Sequence, residues 1–443
     1  MKQFRSTRAG ALTALAAIGA LALSACSAGS LGSSDDSSSG GAATTITLLV
    51  DNSEATMATG KALVDGFNAS QKDVQVKLES RPQGADGDNL VKTKLATGEM
   101  SDVFQYNSGS LLAALDPPKN MVDVSGEAFK GNLDPTFVQS ASVDDKLFGV
   151  PYGQAMGGGI LYNKKVFADN GLTVPTTWAE FAANNEKLKA AGVTPVIQSY
   201  GDTWTSQLFV LADFNNVTAQ QSDWADKYTQ NQAHYVDQPA LTSFQRLQEG
   251  KDKGWFNKDF ASTKLDQALA KLVKGEGAQY PMLTFAISAY TGIDPGAAEN
   301  IGFFAQPGND ASTNALTAWT PAGLYIPKST TGDKLEGAKK FLAWVATPEA
   351  CDAQTKAVPP TGPYMVKGCE LPDGLPTAVT DLKKYFDDGK NSLALEFLSP
   401  IKGPNLEKLT VEVGSGIRSA AEGAKLYDQD VKKQAQQLGL PGW

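Results

Sequence analysis

Between residues 45 and 106 two hydrophobic patterns alternate at short, regular intervals, and this alternation leaves few folds open. Residues 45–50 read Thr-Ile-Thr-Leu-Leu-Val, a strand pattern that stops at Asp51, Asn52 and Ser53. Over residues 55–70 the period changes, and Leu63, Val64 and Phe67 fall at inward-facing helical spacings. A second strand pattern at 74–79 ends in Arg81, Pro82, Gln83 and Gly84, and a helix over about 88–97 leads to a third strand at 102–106. Strand, helix, strand, helix at this spacing means an α/β lobe with a largely parallel sheet. Ligands of such sheets sit beyond the carboxyl ends of the strands. That rule singles out Asp51 and Asn52, Gln83 and Gly84, and Tyr106 with Asn107 and Ser108.

A second α/β run begins after Pro151. Residues 160–162 are strand-like, and a long amphipathic helix starts at Trp178, with Thr176 or Thr177 as N-cap and Glu180 at capping-box distance. This helix ends near Gly192, and a strand at 194–198 runs into a loop holding Asp202 and Trp204. Helices are expected over 240–253 and 264–274, then a buried strand at 277–283 leading to Phe285. Strands at 300–305 and 323–327 and a helix at 334–346 follow, and helices near 374–386, 404–421 and 425–438 close the chain. About 400 residues exceed one compact core, so two lobes are expected.

Upstream of the first strand lies a different kind of sequence. Lys2, Arg5 and Arg8 precede an apolar run over residues 10–23, a charged start and a hydrophobic core too short to span a bilayer comfortably. The run ends in Leu23, Ser24, Ala25 and Cys26, which resembles the lipobox of bacterial lipoproteins. In that group the Cys thiol receives a diacylglyceryl chain pair and the leader, here residues 1–25, is cut just before it. The plain alternative is a secretory signal with a chance Cys. Residues 26–43 are the lipidated Cys and a Ser/Gly-rich stretch with no apolar set to offset the entropy of ordering. As a coil its 17 residues after Cys26 would reach roughly 20–25 Å.

Without the leader the chain keeps 36 basic residues against 48 acidic ones, a net of −12. So acidic a body repels phosphate backbones and shows no basic aromatic-rich stripe, so nucleic acid is not an expected partner. Apart from Cys26 the cysteines are Cys351 and Cys369. In an oxidising compartment an even pair reads as a disulfide, against the alternative of two free buried thiols. The chain holds one His, His234, so no metal site is expected, nor any cofactor.

Several segments together resemble the family 1 extracellular solute-binding proteins of ABC importers, the group that includes maltose-binding protein. They are residues 146–153 (Lys-Leu-Phe-Gly-Val-Pro-Tyr-Gly), 160–167 (Ile-Leu-Tyr-Asn-Lys-Lys-Val-Phe), 170–172, 175–181, 275–278, 337–345 and 347–349. The resemblance covers about residues 44–440. It implies a periplasmic-binding-protein-like fold: two α/β lobes, each a mainly parallel sheet flanked by helices, joined by a multi-strand hinge. Residues 44–152 and 307–347 would form lobe 1, and residues 153–306 and 348–443 lobe 2. The chain would cross near 150–153, 305–308 and 346–348. The ligand would lie between the lobes, which close on it by hinge bending. An ABC permease would read the closed form, a cytosolic ATPase would drive transport, and the receptor would act as a monomer.

Sugars present hydroxyls and flat apolar faces, so their sites combine aromatic platforms with carboxylates and amides. Trp204 and Phe285 are expected to stack on the ligand from lobe 2; Phe285 matches a position where relatives carry such an aromatic. Tyr106 and Trp319 are expected to face them from lobe 1 or the hinge, against core packing for Tyr106 and surface for Trp319. Asp51, Asn52, Gln83, Asn107 and Asp202 are expected to take hydroxyls, with helix capping as the alternative for the first two. Gln154 and the glycines at 157–159 sit at the first crossing, where glycine serves either close ligand approach or dihedral freedom. Trp178 and Trp344 lie at core-facing helical spacings. No catalytic residues are assigned: a single His excludes most His-dependent triads, and no Walker loop occurs.

The expected function is therefore a lipid-anchored receptor on the outer face of the bacterial membrane, binding a di- or oligosaccharide for an ABC importer. The alternatives are a receptor for a non-sugar solute such as a polyamine or phosphodiester, and a secreted carboxylate-dependent glycoside hydrolase. One consequence is open to direct test. Cys26→Ala leaves the protein folded and releases it from membranes; a variant that still sediments with membranes after a high-salt wash refutes the anchor.

Overall fold

The structure, a computed structural model, describes residues 43–443. The leader, Cys26 and residues 27–42 lie outside the described residues.

The alternation at the start of the body folds as its pattern predicts. Strands β1 (Thr44–Asp51), β2 (Val74–Arg81) and β3 (Val103–Tyr106) run parallel in the spatial order β2-β1-β3. Helices Glu54–Ser70 and Gly84–Thr97 carry the chain between them. Leu63, Val64 and Phe67 of the first helix are buried, and Ile46, Leu48 and Val50 of β1 are fully enclosed. Burying each such side chain is worth about 1.5–3 kcal/mol. Two distant segments complete this sheet. These are β4 (Gly149–Tyr152) and, between it and β3, β10 (Ala322–Tyr325), antiparallel to both neighbours.

The second sheet is built around β5 (Met156–Asn163). On one side it pairs antiparallel with β7 (Gly277–Leu283), beyond which β6 (Thr194–Val196) runs parallel to β7. On the other side β5 is shared between two antiparallel strands. β8 (Ile301–Ala305) covers residues 159–163, and β9 (Leu316–Trp319) covers residues 156–158. A short β11 (Asn391–Leu393) adds parallel to β9.

The first crossing between lobes, residues 153–155 between β4 and β5, lies beside its expected place. The second does not lie at 305–308. Residues 316–319, assigned to lobe 1 from sequence, are a strand of the second sheet, so the chain crosses at residues 320–321. The third crossing shifts as well. Helix Pro348–Ala357 rests on helix Glu54–Ser70, and Cys351, Met365 and Val366 belong to the first core. Leu371 and Leu375 already pack on the second. Residues 348–366, assigned to lobe 2, therefore stand with lobe 1, while helix Thr377–Asp387 and everything after it stands with lobe 2.

Local signals fared well where they were chemical. Thr177 caps helix Trp178–Ala190, and its hydroxyl and the Glu180 carboxylate close a reciprocal capping box. Trp178 is buried in the second core, its indole N–H on Glu249 at 2.8 Å and its ring 4.7 Å from the Arg246 guanidinium. Trp344 is only partly buried, edge-on to Phe67. The run 404–421 is two elements: helix Leu406–Gly414 stops, Gly416 turns the chain at φ +76°, and Ser419 caps helix Ala420–Gln437. Trp443, mute in the sequence, packs on Tyr228 and donates to the Thr229 carbonyl at 2.8 Å.

Cys351 and Cys369 are bonded, with Cα atoms 5.9 Å apart. The bridge ties helix Pro348–Ala357, at its buried face, to the chain just before its third crossing. Closing a loop of this length contributes roughly 3 kcal/mol in the chain-entropy model. Intact-mass analysis after alkylation is expected to show no modified thiol at 351 or 369 without reductant and two with it. Two thiols alkylated without reductant would overturn the bridge.

Candidate functional site

The strand pairings decide which residues can meet. In the first sheet β1, β2 and β3 end on the same edge, and β10 begins and β4 ends there. In the second sheet β6, β7, β9 and β11 end on the edge where β5 begins. Two crossings of two or three residues, β4 to β5 and β9 to β10, join one edge to the other. The carboxyl ends of both sets of strands are thereby brought together around one cleft, the place where α/β sheets bind ligands.

On the second lobe's edge Trp204 and Phe285 meet. Trp204 lies in the turn Thr203–Gln207 after β6, and Phe285 follows β7 at the start of helix Ala286–Ile293. Their ring centroids are 5.9 Å apart and tilted by 39°, and both rings are half-buried. Asp202 beside them is committed: its carboxylate accepts from the Leu265 amide at 2.7 Å. That places it at the positive end of helix Leu265–Lys274.

Trp319 comes from the second sheet, not from the first lobe or the hinge. It is 5 % exposed, closes β9 opposite Met156, and donates its indole N–H to Glu396. The glycine run in β5 explains how it fits. A Cβ on Gly158 would collide with the Trp319 ring, one on Gly157 with Leu382, and one on Gly159 with the Phe304 carbonyl. Room for packing is thus what the structure shows these glycines providing. The left-handed dihedral at the crossing belongs to Gly153, at φ +87°.

On the first lobe's edge Tyr106 is not a free platform. Paired with Gly323 and 1 % exposed, it sits in a core cluster with Leu112 and Tyr325. Burial pushes its phenol well above the ordinary range, and Asp88 pushes the same way. Its neighbour Asn107 is exposed, as are Asn52 and Gln83. One Asp51 oxygen accepts from the Ser53 amide at 2.9 Å and its hydroxyl at 2.6 Å, so Asp51 also shapes the entry to helix Glu54–Ser70. Gln154, half-buried in the first crossing, takes a long 3.4 Å hydrogen bond from Thr361.

Four charged residues that the sequence did not single out as contacts line the same region. Arg81 closes β2 and is 5 % exposed; its guanidinium reaches Pro82 and Gln105, lies 5.8 Å from the Tyr106 ring, and leaves Nε without a partner. Asp88, half-buried on helix Gly84–Thr97, has its pKa raised by burial, against the pull of Arg81, Lys92 and Lys402. On the second lobe Glu396 holds Trp319 through one oxygen and Lys402 through the other at 2.8 Å. No local pattern marked Glu396 or Lys402, which follow a three-residue strand in irregular chain.

Rings, amides and carboxylates gathered between two hinged lobes can hold a solute rich in hydroxyl groups. Comparison with known proteins agrees on the architecture. The chain is 26% identical over 298 residues to a multiple sugar-binding protein of Streptococcus mutans serotype c, across 66% of this chain and 69% of that one. Among solved structures it superposes on a chitin oligosaccharide binding protein with TM-score 0.76 and 21% identity, covering 89% of this chain and 100% of the other. A complex of the solute-binding protein RafE with raffinose gives TM-score 0.73 and 19% identity over 89% and 99%. At such identities the structural likeness is one of fold. The sequence model of the bacterial extracellular solute-binding proteins matches residues 51–350, and the chain belongs to that family.

Proposed function

We propose that this protein is a sugar receptor of an ABC importer, anchored by lipid at Cys26 to the outer face of the cytoplasmic membrane. It binds a di- or oligosaccharide between its lobes as a monomer. It then delivers the sugar to the permease, whose cytosolic ATPase drives uptake. The observation that carries the reading is the Trp204–Phe285 pair, half-buried on one sheet edge, with the exposed side chains of Asn52, Gln83 and Asn107 at the strand ends of the other sheet. Aromatic faces bind the apolar C–H surface of a pyranose, and the polar groups opposite take its hydroxyls. The relatives support the choice of ligand, since one is named for multiple sugars and the solved structures for chitin oligosaccharide and raffinose. Asn52, Gln83 and Asn107 are exposed and remain the proposed hydroxyl contacts of lobe 1, with Asp51 and Gln154 beside them. Tyr106 lies behind this row as support, and Trp319 with Glu396 forms the wall of lobe 2.

A thermal-shift screen against a panel of oligosaccharides tests the ligand class. A sugar at 100 times its dissociation constant adds about 2.7 kcal/mol of stability. A shift with a polyamine or phosphodiester and none with sugars overturns the reading, and release of shorter sugars would make the protein a hydrolase.

With the sugar in hand, Trp204→Ala is expected to weaken binding by roughly 2–4 kcal/mol, the range of a central aromatic anchor. Its melting temperature without ligand should change little, because the ring is only half-buried. Trp178→Ala is the control. Buried against Phe181, Phe209 and Trp255, it should cost about 3–5 kcal/mol of stability. Calorimetry and melting of both variants decide; unchanged affinity in Trp204→Ala removes that residue from the site.

A further inference from the structure

A segment 200 residues further along the chain packs against the first crossing. Residues 358–363, Val-Pro-Pro-Thr-Gly-Pro, follow helix Pro348–Ala357 of lobe 1 and carry prolines at 359, 360 and 363. Proline has no N–H to give to a ladder, so this stretch cannot be held as helix or sheet. Among the described residues, the hydrogen bonds of 359–363 go to the crossing alone. The Pro363 carbonyl accepts from the Ala155 amide at 2.8 Å, and the Thr361 hydroxyl donates to Gln154 at 3.4 Å. Gly362, buried between them, lies so close to the Ala155 carbonyl that a Cβ would stand 2.0 Å from its oxygen. The same Cβ would meet Leu382 of lobe 2 at 3.2 Å, and Leu382 also lies over Gly157 at the start of β5. A loop of lobe 1 thus fills the angle between the crossing and the other lobe. Its far end is fixed to lobe 1. The Met365 carbonyl accepts from the Asp134 amide at 2.9 Å, and the Lys367 amide donates to the Asn132 carbonyl at 2.7 Å. The Cys351–Cys369 bridge closes the whole span.

We propose that this loop is a wedge that positions the first crossing, and that the Cys351–Cys369 bridge keeps the wedge seated when the lobes turn. Gly362 and Pro363 set Ala155, and Thr361 sets Gln154. The inference rests on the reading of the protein as a receptor with its cleft at this crossing, where Gln154 is a proposed contact, and it adds positioning residues outside that cleft. The physical case is one of entropy. A cross-link acts mainly by removing the alternative conformations of the span it closes. Without it, hydrogen bonds of small net worth would have to hold a span that builds no ladder of its own. The wedge would then leave its seat locally while both cores stay folded.

The test needs no ligand. Amide hydrogen exchange of the full protein is followed residue by residue in the wild type and in the double variant Cys351→Ala, Cys369→Ala. The amides of Leu48 and Leu161, fully enclosed in central strands of the two sheets, report the general loss of stability. The Ala155 amide is expected to speed up about tenfold or more beyond them, because its partner Pro363 leaves by local opening. Energy transfer between one label on each lobe should show a broader spread of separations in the same variant. Gly362→Ala keeps the bridge and drives a Cβ against the Ala155 carbonyl, so it should shift the mean separation and leave the spread as it was. An Ala155 amide that only keeps pace with Leu48 and Leu161 makes the bridge a staple of lobe 1 and overturns the proposal. An unchanged mean separation in Gly362→Ala overturns it as well. Because no sugar is present, these outcomes stand apart from failure of the sugar reading, which the screen and Trp204→Ala decide.

Discussion

The placing of Trp319 at the edge of the second sheet depends on three successive residues without side chains. Gly157, Gly158 and Gly159 lie in β5, the strand that carries partners on both sides and receives the first crossing from the other lobe. Central strands are normally filled with branched residues, and glycine there forfeits both packing and backbone entropy. The compensation is volume. Leu382, Trp319, Phe303 and the Phe304 carbonyl occupy the space the missing Cβ atoms leave. Trp319 can then lie over the strand and reach Glu396, and Glu396 reach Lys402. A side chain at position 158 would move the indole first, and through it Glu396 and Lys402.

The division of labour between the lobes follows from how the sheets are joined. Two short crossings, residues 153–155 and 320–321, run between facing edges, so groups at the strand ends would approach or separate together in any turning of one lobe on the other. Among the described residues each lobe keeps its own core, with no hydrophobic cluster shared between them apart from marginal contacts such as Phe386, which touches both. Interfaces between such cores resemble transient ones, and motion between lobes is their default behaviour.

How much of this was legible in the sequence depended on how far away the partner of each residue lay. The β1–β3 alternation, the Thr177–Glu180 box and the Cys351–Cys369 pair were legible because their patterns are local or their choices few. β9 was not. Four residues in a turn-rich stretch become a strand only because β5, over 150 residues earlier, offers an edge beside β8. Missing it moved the second crossing, and with it Trp319, to the wrong lobe. Asp202 shows the limit for site chemistry. A carboxylate at a strand end looks the same whether it awaits a hydroxyl or a helix terminus, and the terminus at Leu265 is 63 residues away. Trp204 and Phe285 met because both strand ends were recognised, and Tyr106 misled because the last residue of a buried strand still belongs to the strand.

The charges of the protein sort by what burial allows them to do. Asp213 and Arg246 are paired inside the second lobe, almost without solvent, and the pair is tied to Asn216 and Asn309. Removing one partner of such a pair typically costs about 3–5 kcal/mol, because the other is left charged in a poor solvent. That is far too much for a contact that would have to break whenever two lobes part. It suits a fixed brace, and the brace holds the turn after β8, where the Gly308 carbonyl also accepts from the Trp178 amide at 2.6 Å. The groups at the cleft are the opposite case. Glu396 and Lys402 retain contact with water, so their attraction stays near the thermal energy. Only charges that remain wet can be made and broken cheaply enough to follow a hinge, and in this fold such charges stand where the two lobes meet.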